Sequence, residues 1–324
     1  MSMLPLSYMK PETPSSSRRR FLHQLGLGAV GALAVSSLRS AAAEPASGAG
    51  ALSGKFATRA ALLEAARAHR KIDSHNHLDQ SSTMNLLKAA DRFNIQRLAI
   101  SIPRGVNPIQ FRASNDRILA AMKEHPDRFI GQCYVDPHFA KEALEEIKRC
   151  LGEGMVGPGE LYTAAKVTDP LYYPIIEYCI TQNAPMLWHA RADLGLIRSG
   201  SGYPTMAPAT TSTAADFVEI AKRYPEGTFV HGHIGGGGDW EYMCKKLREV
   251  PSVYLDTSGS VSEPGMIRFA IDTLGVERLL FATDMNFESG TGKLLAANLD
   301  DQTMNRICWD NFNKILTKRG IHAN

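Results

Sequence analysis

The sequence predicts an α/β fold in which eight short strands alternate with helices and close into a (β/α)8 barrel. Short apolar or β-branched runs recur along the chain, separated by segments with helical periodicity. The region that follows residue 43 has about 280 residues, a length typical of one large α/β domain. Histidines and acidic residues stand at the carboxyl ends of several predicted strands, and a barrel gathers those ends on one face.

Each element is assigned from its local pattern. The predicted strands are Lys71–His75, Arg97–Ile102, Phe129–Val135, Gly154–Glu160, Pro185–His189, Thr228–His233, Ser252–Asp256 and Arg278–Thr283. The predicted helices are Ser82–Phe93, Arg112–Glu124, Lys141–Leu151, Leu171–Gln182, Ala214–Arg223, Trp240–Glu249, Met266–Leu274 and a last one from Gln302 to Leu316, with an additional Ala-rich helix, Thr58–Arg70, before the first strand. The alternative is a doubly wound open sheet, which would scatter the polar strand ends instead of gathering them. The sequence therefore favours a single barrel domain over residues 58–324.

The first 43 residues are predicted to be a cleavable twin-arginine export leader. Ser17 to Leu22 reads Ser-Arg-Arg-Arg-Phe-Leu, an apolar Gly/Ala-rich run follows, and Ala41-Ala42-Ala43 forms a small-residue cleavage site. A stable membrane anchor is disfavoured, because the apolar run has about 14 residues and a span needs about 20. Residues 44–57 are predicted to be a flexible linker. We expect a periplasmic or otherwise exported protein that uses the twin-arginine export machinery.

Composition excludes several classes of function. The chain has a net charge of +3, but its first 43 residues carry five basic residues and one acidic residue, so the remainder has a net charge of −1. A nucleic-acid partner is not predicted, since that would require clustered Lys and Arg on one face. The five cysteines are widely spaced with no C-x-x-C, which predicts buried thiols and disfavours a disulfide framework or a zinc ribbon.

The run from Ile72 to His77 (Ile-Asp-Ser-His-Asn-His) is the sharpest local motif. Alternation along a strand points His75 and His77 to the same side, where two imidazoles can reach one metal ion. By itself an H-x-H motif is only moderately specific for a metal site, because two polar residues in a loop give the same sequence pattern. Four further strand ends strengthen it: Glu160 closes strand four, His189 closes strand five, His231 and His233 close strand six, and Asp284 follows strand eight.

With these residues in place, the chain resembles the amidohydrolase superfamily, specifically the amidohydrolase-related (amidohydrolase 2) branch of TIM-barrel metal-dependent hydrolases. The resemblance runs from about Lys71 to Leu316 and is carried by I-D-S-H-N-H-L, L-W-H-A, F-V-H-G-H-I-G-G, V-Y-L-D-T-S-G, L-L-F-A-T-D-M and N-F-N-K-I-L. It implies a divalent metal, most often zinc, held by His75, His77, His189 and Asp284. It also places His233 as a base or electrophile near the substrate. Imidazoles with one carboxylate suit zinc or a similar ion, and Asp284 could accept a proton from water while touching the metal.

Two positions stay open. On a regular strand both His231 and His233 would face inward. The resemblance favours His233, and the alternative is that His231 is the ligand or a hydrogen-bond partner of a ligand. Many relatives have a lysine where this chain has Glu160. A bridging Glu160 would place His75, His77 and Asp284 on one ion, with His189 and a strand-six histidine on a second. The alternative is one ion with Glu160 as a structural or substrate-contacting acid.

Other motifs are less informative about function. Arg104 and Arg191 lie on the same predicted face, where either could bind a substrate carboxylate with two hydrogen bonds or simply be exposed. The run Gly290-Thr291-Gly292-Lys293 lacks the upstream glycine and the Ser/Thr of a phosphate-binding loop, so it does not predict nucleotide binding. A serine hydrolase is not indicated, because the chain contains no G-x-S-x-G.

The predicted function is hydrolysis of a C–O or C–N bond of a small molecule, a lactone, ester or amide, by metal-activated water. The alternative is a non-oxidative decarboxylase, because this branch also resembles aminocarboxymuconate-semialdehyde decarboxylase, which uses the same three histidines and aspartate with one zinc. A protein of another class, which binds metal or solute without catalysis, is disfavoured because Asp284 and His233 are both present. The sequence does not identify the substrate.

Overall fold

The computed structural model describes residues 58–78, 82–162, 164–191, 197–198, 204–205, 210–237 and 239–322. Its eight principal strands are β1 (Lys71–His77), β2 (Ile95–Ser101), β3 (Phe129–Cys133), β4 (Gly157–Pro158), β5 (Met186–Trp188), β6 (Phe229–His231), β7 (Val253–Asp256) and β8 (Leu279–Leu280). The α-helices are α1 (Arg59–Arg67), α2 (Thr83–Asp91), α3 (Pro108–Glu124), α4 (Ala140–Gly152), α5 (Tyr173–Thr181), α6 (Ala214–Arg223), α7 (Trp240–Leu247), α8 (Met266–Leu274), α9 (Phe287–Ala296), α10 (Asp301–Asn305) and α11 (Asn311–Lys318). Strands and helices therefore alternate as predicted.

The strands form two parallel four-stranded sheets that meet at two seams. One sheet has the order β1-β2-β3-β4 and the other the order β8-β7-β6-β5. At one seam, Leu161 after β4 donates its N–H to Leu187 and accepts one from His189. At the other, Ser74 donates to Phe281, and the N–H of Asp284 donates to the carbonyl of His75. These hydrogen bonds link the sheets into a ring of eight strands, so all their carboxyl ends lie on one rim.

The side chains in the middle of the strands divide the core into two layers. Ile72, Ala99, Ile130, Val156, Leu187, Val230 and Leu280 form an inner cluster, one residue from or beside each of seven strands. Phe312 and Leu316 of α11 pack into the same cluster. The residues on either side of these in sequence, such as Phe229 beside Val230, belong to a larger cluster that includes the helices. The alternation of strand side chains explains both layers.

Three parts of the predicted pattern differ from the structure. Strand four, predicted as Gly154–Glu160, is a regular strand only over Gly157–Pro158. The N–H groups of Val156 and Gly159 donate to Gly131 and Cys133 of β3, and Pro158 between them has no N–H to donate. No helix is predicted between strand eight and the last helix, but the structure has α9 there. Gly290 and Gly292 weaken the helical signal there, and Gly290 is required because a Cβ at that position would lie 2.7 Å from the carbonyl oxygen of Ala282. The predicted last helix is two helices joined by a π-helical turn, Arg306–Asp310.

The predicted leader and linker (residues 1–57) lie outside the described residues, as does most of the long segment after β5. The parts of that segment that are described contain short strand pairs, Ala190–Arg191 with Ser212–Thr213 and Ile197–Arg198 with Pro204–Thr205. In the described part of the chain, no helix has the length and apolar character needed to cross a membrane.

Candidate metal centre

Four histidines surround one buried carboxylate on the rim of the barrel. His75 and His77 end β1, His189 follows β5, His233 follows β6, and Glu160 follows β4. The ring centroids of His75 and His77 are 5.1 Å apart, and those of His189 and His233 are 4.8 Å apart. The parallel strands bring these residues together although they are separated by up to 158 positions in the sequence. The predicted convergence of polar strand ends is therefore present in the structure.

Glu160 divides its two carboxylate oxygens between the histidines. Its Oε2 lies 3.6 Å from His75 Nε2 and 3.4 Å from His77 Nε2. Its Oε1 lies 2.8 Å from His189 Nδ1 and 3.0 Å from His233 Nε2. One pair of imidazoles thus faces each oxygen.

Three of the histidines are held at Nδ1 by an oxygen, which directs Nε2 toward Glu160. His75 Nδ1 lies 2.8 Å from Asp256 Oδ2, and His233 Nδ1 lies 2.8 Å from Ser258 Oγ. His77 Nδ1 lies 3.1 Å from Ser101 Oγ, which also accepts the N–H of Glu160. An imidazole with its Nδ1–H donated in this way has its Nε2 lone pair free for a metal ion.

Asp284 lies at the open side of the cluster, with 32% of its side chain exposed. Its Oδ1 is 3.1 Å from His77 Nε2 and 4.0 Å from His75 Nε2, and its Oδ2 is 3.8 Å from His233 Nδ1. Asp284 (φ 46°) and His233 (φ 73°) both adopt the left-handed backbone region. Non-glycine residues in that region are uncommon and concentrate at functional sites.

The charges of the cluster are strongly coupled. Burial opposes ionisation of Glu160, but the charge of His75 and the hydrogen bonds from His189 and His233 together hold the pKa of that carboxyl well below its usual range. Burial likewise opposes the charge of His75, yet Glu160 and Asp256 raise its pKa well above the ordinary value. Against burial, the hydrogen bond from His77 holds the pKa of Asp284 far below normal. The carboxylates are therefore ionised at neutral pH, and they stabilise positive charge at the site, on the imidazole rings or on a bound cation.

The donor set fits a divalent metal. Among the described residues, three sets of three side chains have potential ligand atoms within 4.8 Å of one another: His75, His77 and Glu160; Glu160, His189 and His233; and His75, His233 and Asp256. The Nε2 atom of His75 is buried and has no hydrogen-bond partner in the described part of the chain. A buried nitrogen left without a partner is costly unless something binds it. Neutral imidazoles and carboxylates suit zinc, manganese and similar ions.

His231 lies apart from this cluster, so the expectation that it faces inward together with His233 is wrong. β6 ends at His231, and its ring packs outward against Phe217 of α6, with centroids 4.7 Å apart. Burial lowers the pKa of His231 to about 4, which keeps the ring neutral. The chain then turns at His233, whose positive φ redirects that side chain into the site.

The two arginines occupy different places. Arg191 donates from Nε to His189 Nε2 at 3.4 Å, next to the cluster. Arg104 is exposed and lines a cavity of about 190 Å³ that begins at His77. The cavity is also lined by Leu78, Ile102, Pro103, Arg117 and Met285. A small molecule that reached the histidines from this side would meet both apolar and cationic side chains.

Sequence reasoning missed the residues that orient the histidines. Asp256 was assigned to the end of strand seven and occurs in the V-Y-L-D-T-S-G run, but it was given no role. It is buried, it accepts hydrogen bonds from the backbone N–H of His233 and of Ser258, and it binds the ring of His75. The same rule that identified Asp284, an acid that closes an apolar strand, would have identified Asp256. Ser101 and Ser258 carry no comparable sequence signal.

Comparisons with known proteins agree with this architecture. The sequence model of a protein family described as amidohydrolase matches residues 72–316 of this chain. Gamma-resorcylate decarboxylase of Rhodococcus jostii is 26% identical over 253 residues, which cover 63% of this chain and 77% of that protein. The 2-amino-3-carboxymuconate-6-semialdehyde decarboxylase of Dictyostelium discoideum is 24% identical over 201 residues, which cover 54% of this chain and 56% of that protein, so the chain spans little more than half of its length.

Solved structures share the fold. A dihydroxybenzoic acid decarboxylase from a Polaromonas species, with bound manganese and the inhibitor 2-nitroresorcinol, superposes with a TM-score of 0.58 at 17% identity and covers 77% of this chain and 97% of its own. Both curated relatives are decarboxylases, which favours the alternative prediction over hydrolysis. Because the family model matches well over half of the sequence, from residue 72 to residue 316, the chain belongs to the amidohydrolase family and is an enzyme of that family.

Proposed function

We propose that this protein is a metal-dependent, non-oxidative decarboxylase of a small unsaturated or aromatic carboxylic acid. The observation that carries the proposal is that two curated decarboxylases each match more than half of this chain, in which four histidines converge on Glu160 at the rim of the barrel. The substrates named for these relatives are carboxylic acids, and the cavity beside His77 has a cationic side that suits such a molecule.

Decarboxylation breaks the bond between the carboxylate carbon and its neighbour, releases CO2 and leaves the electron pair on that neighbour. A proton must then reach the same carbon, so the site needs a positioned acid. We assign that role to His233, whose ring is buried and oriented by Ser258. We assign to Asp284, which lies 3.1 Å from His77 Nε2 at the open side of the cluster, the acceptance of a proton from a substrate hydroxyl or water.

His75, His77, His189 and Asp284, with Glu160, are the residues that would hold the ion. A bound divalent metal supplies Lewis acidity, which neutralises negative charge on substrate oxygens. The chain itself orients the substrate: Arg104 faces the cavity next to His77 and is placed to contact an acidic group. Zinc stays the sequence prediction for the metal, and manganese is the ion named for the Polaromonas relative.

Hydrolysis of a lactone, ester or amide is the second candidate, and the geometry of Glu160 favours it. A carboxylate that presents one oxygen to His75 and His77 and the other to His189 and His233 has the arrangement of a bridge between two ions. Two-metal sites with ions about 4 Å apart are common in hydrolytic enzymes. The number of ions per chain therefore separates the two reactions.

The test begins with the purified full chain loaded with zinc or manganese. Metal content is measured by mass spectrometry, and CO2 release is followed with 2,6-dihydroxybenzoate, 5-carboxyvanillate and related acids. Lactone, ester and amide cleavage is assayed in parallel. We expect about one tightly bound ion per chain and CO2 release from at least one acid. About two ions per chain, with cleavage of a lactone, ester or amide and no CO2, would overturn decarboxylation in favour of hydrolysis.

Two alanine variants test the assigned roles in the same assays. His189→Ala should lower metal content, because it removes a ligand. His233→Ala should keep its metal and lose turnover, because it removes the proton donor. Equal loss of metal in both variants would instead make His233 a ligand, as expected for the two-metal arrangement.

A further inference from the structure

A buried lysine on α9 contacts the segment that orients the histidines. Lys293 is 6% exposed, and its Nζ donates to the carbonyl oxygens of Thr257 at 3.2 Å, Ser258 at 2.9 Å and Gly259 at 2.6 Å. An ammonium has three N–H donors and no acceptor. Three carbonyls therefore match the whole donor set of Lys293.

The three carbonyls belong to the residues directly after β7, and this segment carries the partners of two histidines. Asp256 Oδ2 lies 2.8 Å from His75 Nδ1, and Ser258 Oγ lies 2.8 Å from His233 Nδ1. Ser258 also donates its N–H and hydroxyl to Asp256 Oδ1. A shift of the segment would therefore move the oxygen partners of both imidazoles together.

Lys293 is well placed to prevent such a shift. Among the described residues, the carbonyls of Thr257 and Gly259 have Lys293 as their hydrogen-bond donor, whereas that of Ser258 also accepts the N–H of Gly235. The packing is tight, because a Cβ on Gly235 would lie 2.9 Å from Lys293 Nζ. Buried carbonyls without a donor are costly, so removal of the ammonium favours a rearranged segment.

We propose that Lys293 is a positioning residue of the metal centre, which fixes residues 257–259 and through Asp256 and Ser258 sets the orientation of His75 and His233. The proposal gives a role to the Gly290-Thr291-Gly292-Lys293 run, which is not a nucleotide loop: its first glycine admits α9 close to β8, and its lysine reaches the segment after β7. It rests on the cluster being a metal site, as the proposed function requires, and not on which reaction the site performs.

The chain contains a matched control. Lys71 is 1% exposed, and its Nζ also donates to three carbonyls, those of Ala66 at 2.8 Å, His69 at 2.7 Å and Phe93 at 2.9 Å. It stands at the start of β1, at the end of the barrel opposite the histidines. A Lys→Met change at either position removes the same kind of buried ammonium, and only Lys293 is connected to the site.

The experiment compares Lys293→Met, Lys293→Gln and Lys71→Met in the full chain. Metal affinity is measured by competition with a chelator, and folding by circular dichroism and Tm. Loss of a residue that supports metal ligands typically lowers affinity about 10- to 100-fold. We expect that loss in Lys293→Met, a smaller one in Lys293→Gln, whose amide keeps two donors, and wild-type affinity in Lys71→Met. A readout of affinity keeps the result independent of whether the wild-type chain releases CO2.

A mutant-cycle comparison tests whether Lys293 acts on the histidines through the side chains of the segment after β7. If Lys293 acts through Asp256 and Ser258, then Lys293→Met should lower affinity much less in an Asp256→Asn/Ser258→Ala background than in the wild type. Wild-type affinity in folded Lys293→Met, an equal loss in Lys71→Met, or full additivity with the Asp256→Asn/Ser258→Ala pair would each overturn the proposal. So would failure of both Lys293 variants to fold while Lys71→Met folds, since Lys293 would then be needed for the fold itself.

Discussion

At the scale of single residues, the site depends on which nitrogen each imidazole presents. His75, His77 and His233 each have Nδ1 beside an oxygen, from Asp256, Ser101 and Ser258 respectively. This fixes the ring orientation before any ion binds, so little rearrangement is needed on binding. His189 is different, because its Nδ1 faces Glu160 and its Nε2 accepts from Arg191. Its Nδ1 is therefore held by the central carboxylate and not by an oxygen outside the cluster.

The raised pKa values of two histidines predict how metal affinity depends on pH. Burial disfavours the charged rings, but carboxylates outweigh it: Glu160 and Asp256 raise the pKa of His75, and hydrogen bonds with Asp284 and Glu160 raise that of His77. In the metal-free chain these rings hold protons that an ion must displace. Affinity should therefore fall as pH falls, by about tenfold per pH unit for each proton displaced.

Chelator competition between about pH 6 and pH 8 measures this slope, and proton release on metal addition to a weakly buffered sample counts the protons directly. The matched variant is Asp256→Asn, which removes a carboxylate that raises the pKa of His75 and should release fewer protons. A pH-independent affinity, or no proton release, would contradict the coupling between these rings and the carboxylates.

Sequence reasoning at this scale succeeded where a residue ends a strand and failed where the backbone leaves the strand. His75, His77, Glu160, His189, His233 and Asp284 come together because the carboxyl ends of parallel strands share a rim. The alternation rule could not separate His231 from His233, because it assumes that the strand continues. The strand does not continue, because His233 has a positive φ, and the residue types around His233 do not predict that conformation.

At the scale of elements, the existence of most strands and helices was easier to predict than their first and last residues. The apolar runs of β2 and β6 and the alternating pattern of β1 identified these strands, whereas β4 is limited to two residues at a Gly-Pro pair. α9 was missed because its glycines lower helix propensity, and tertiary packing against the loop after β8 outweighs that cost. Local patterns therefore predict which elements exist, and the contacts between elements decide where they end.

The last helix, α11, packs against the inner residues of the strands, and one of its aromatic side chains tests its contribution to stability. Phe312 is 2% exposed and belongs to the cluster formed by the inner residues of the strands. Phe312→Ala should lower the free energy of unfolding by about 3–5 kcal/mol, because it removes buried surface and leaves a cavity. Urea denaturation of the metal-free full chain measures the change without a contribution from bound metal.

Lys314→Ala is the control on the same helix, since Lys314 is exposed and a surface change of this kind usually stays within about 0.5 kcal/mol. Similar midpoints for Phe312→Ala and the wild type would show that α11 does not stabilise the barrel core. An equal loss in both variants would point to helix propensity instead of burial.

At the scale of the whole molecule, the barrel separates stability from chemistry. The apolar inner cluster fills the ring, and the polar residues stand at one rim. Residues of the rim can therefore be substituted without removing the side chains that pack the core. This separation is why the family could be predicted from strand-end residues, and why the choice between decarboxylation and hydrolysis could not. The same histidines and acids serve both reactions, and the loops that select a substrate carry no periodic pattern that a sequence reveals.

We propose that the whole chain is made with an export leader over residues 1–43 and is cut after Ala43. The support is the Arg18-Arg19 pair in a Ser-Arg-Arg-x-Phe-Leu context, followed by an apolar run of about 14 residues, too short for a span, and by Ala41-Ala42-Ala43. Twin-arginine export carries folded proteins, so a barrel that needs its metal ligands assembled from five distant segments would cross with the site already formed.

In a bacterium with this pathway, we expect the intact mass of the periplasmic protein to show that it begins at Glu44. Changing Arg18 and Arg19 together to Lys should leave a full-length cytoplasmic protein, whereas Arg39→Lys, outside the motif, should be exported and cut normally. A full-length, cytoplasmic wild-type chain would rule the leader out.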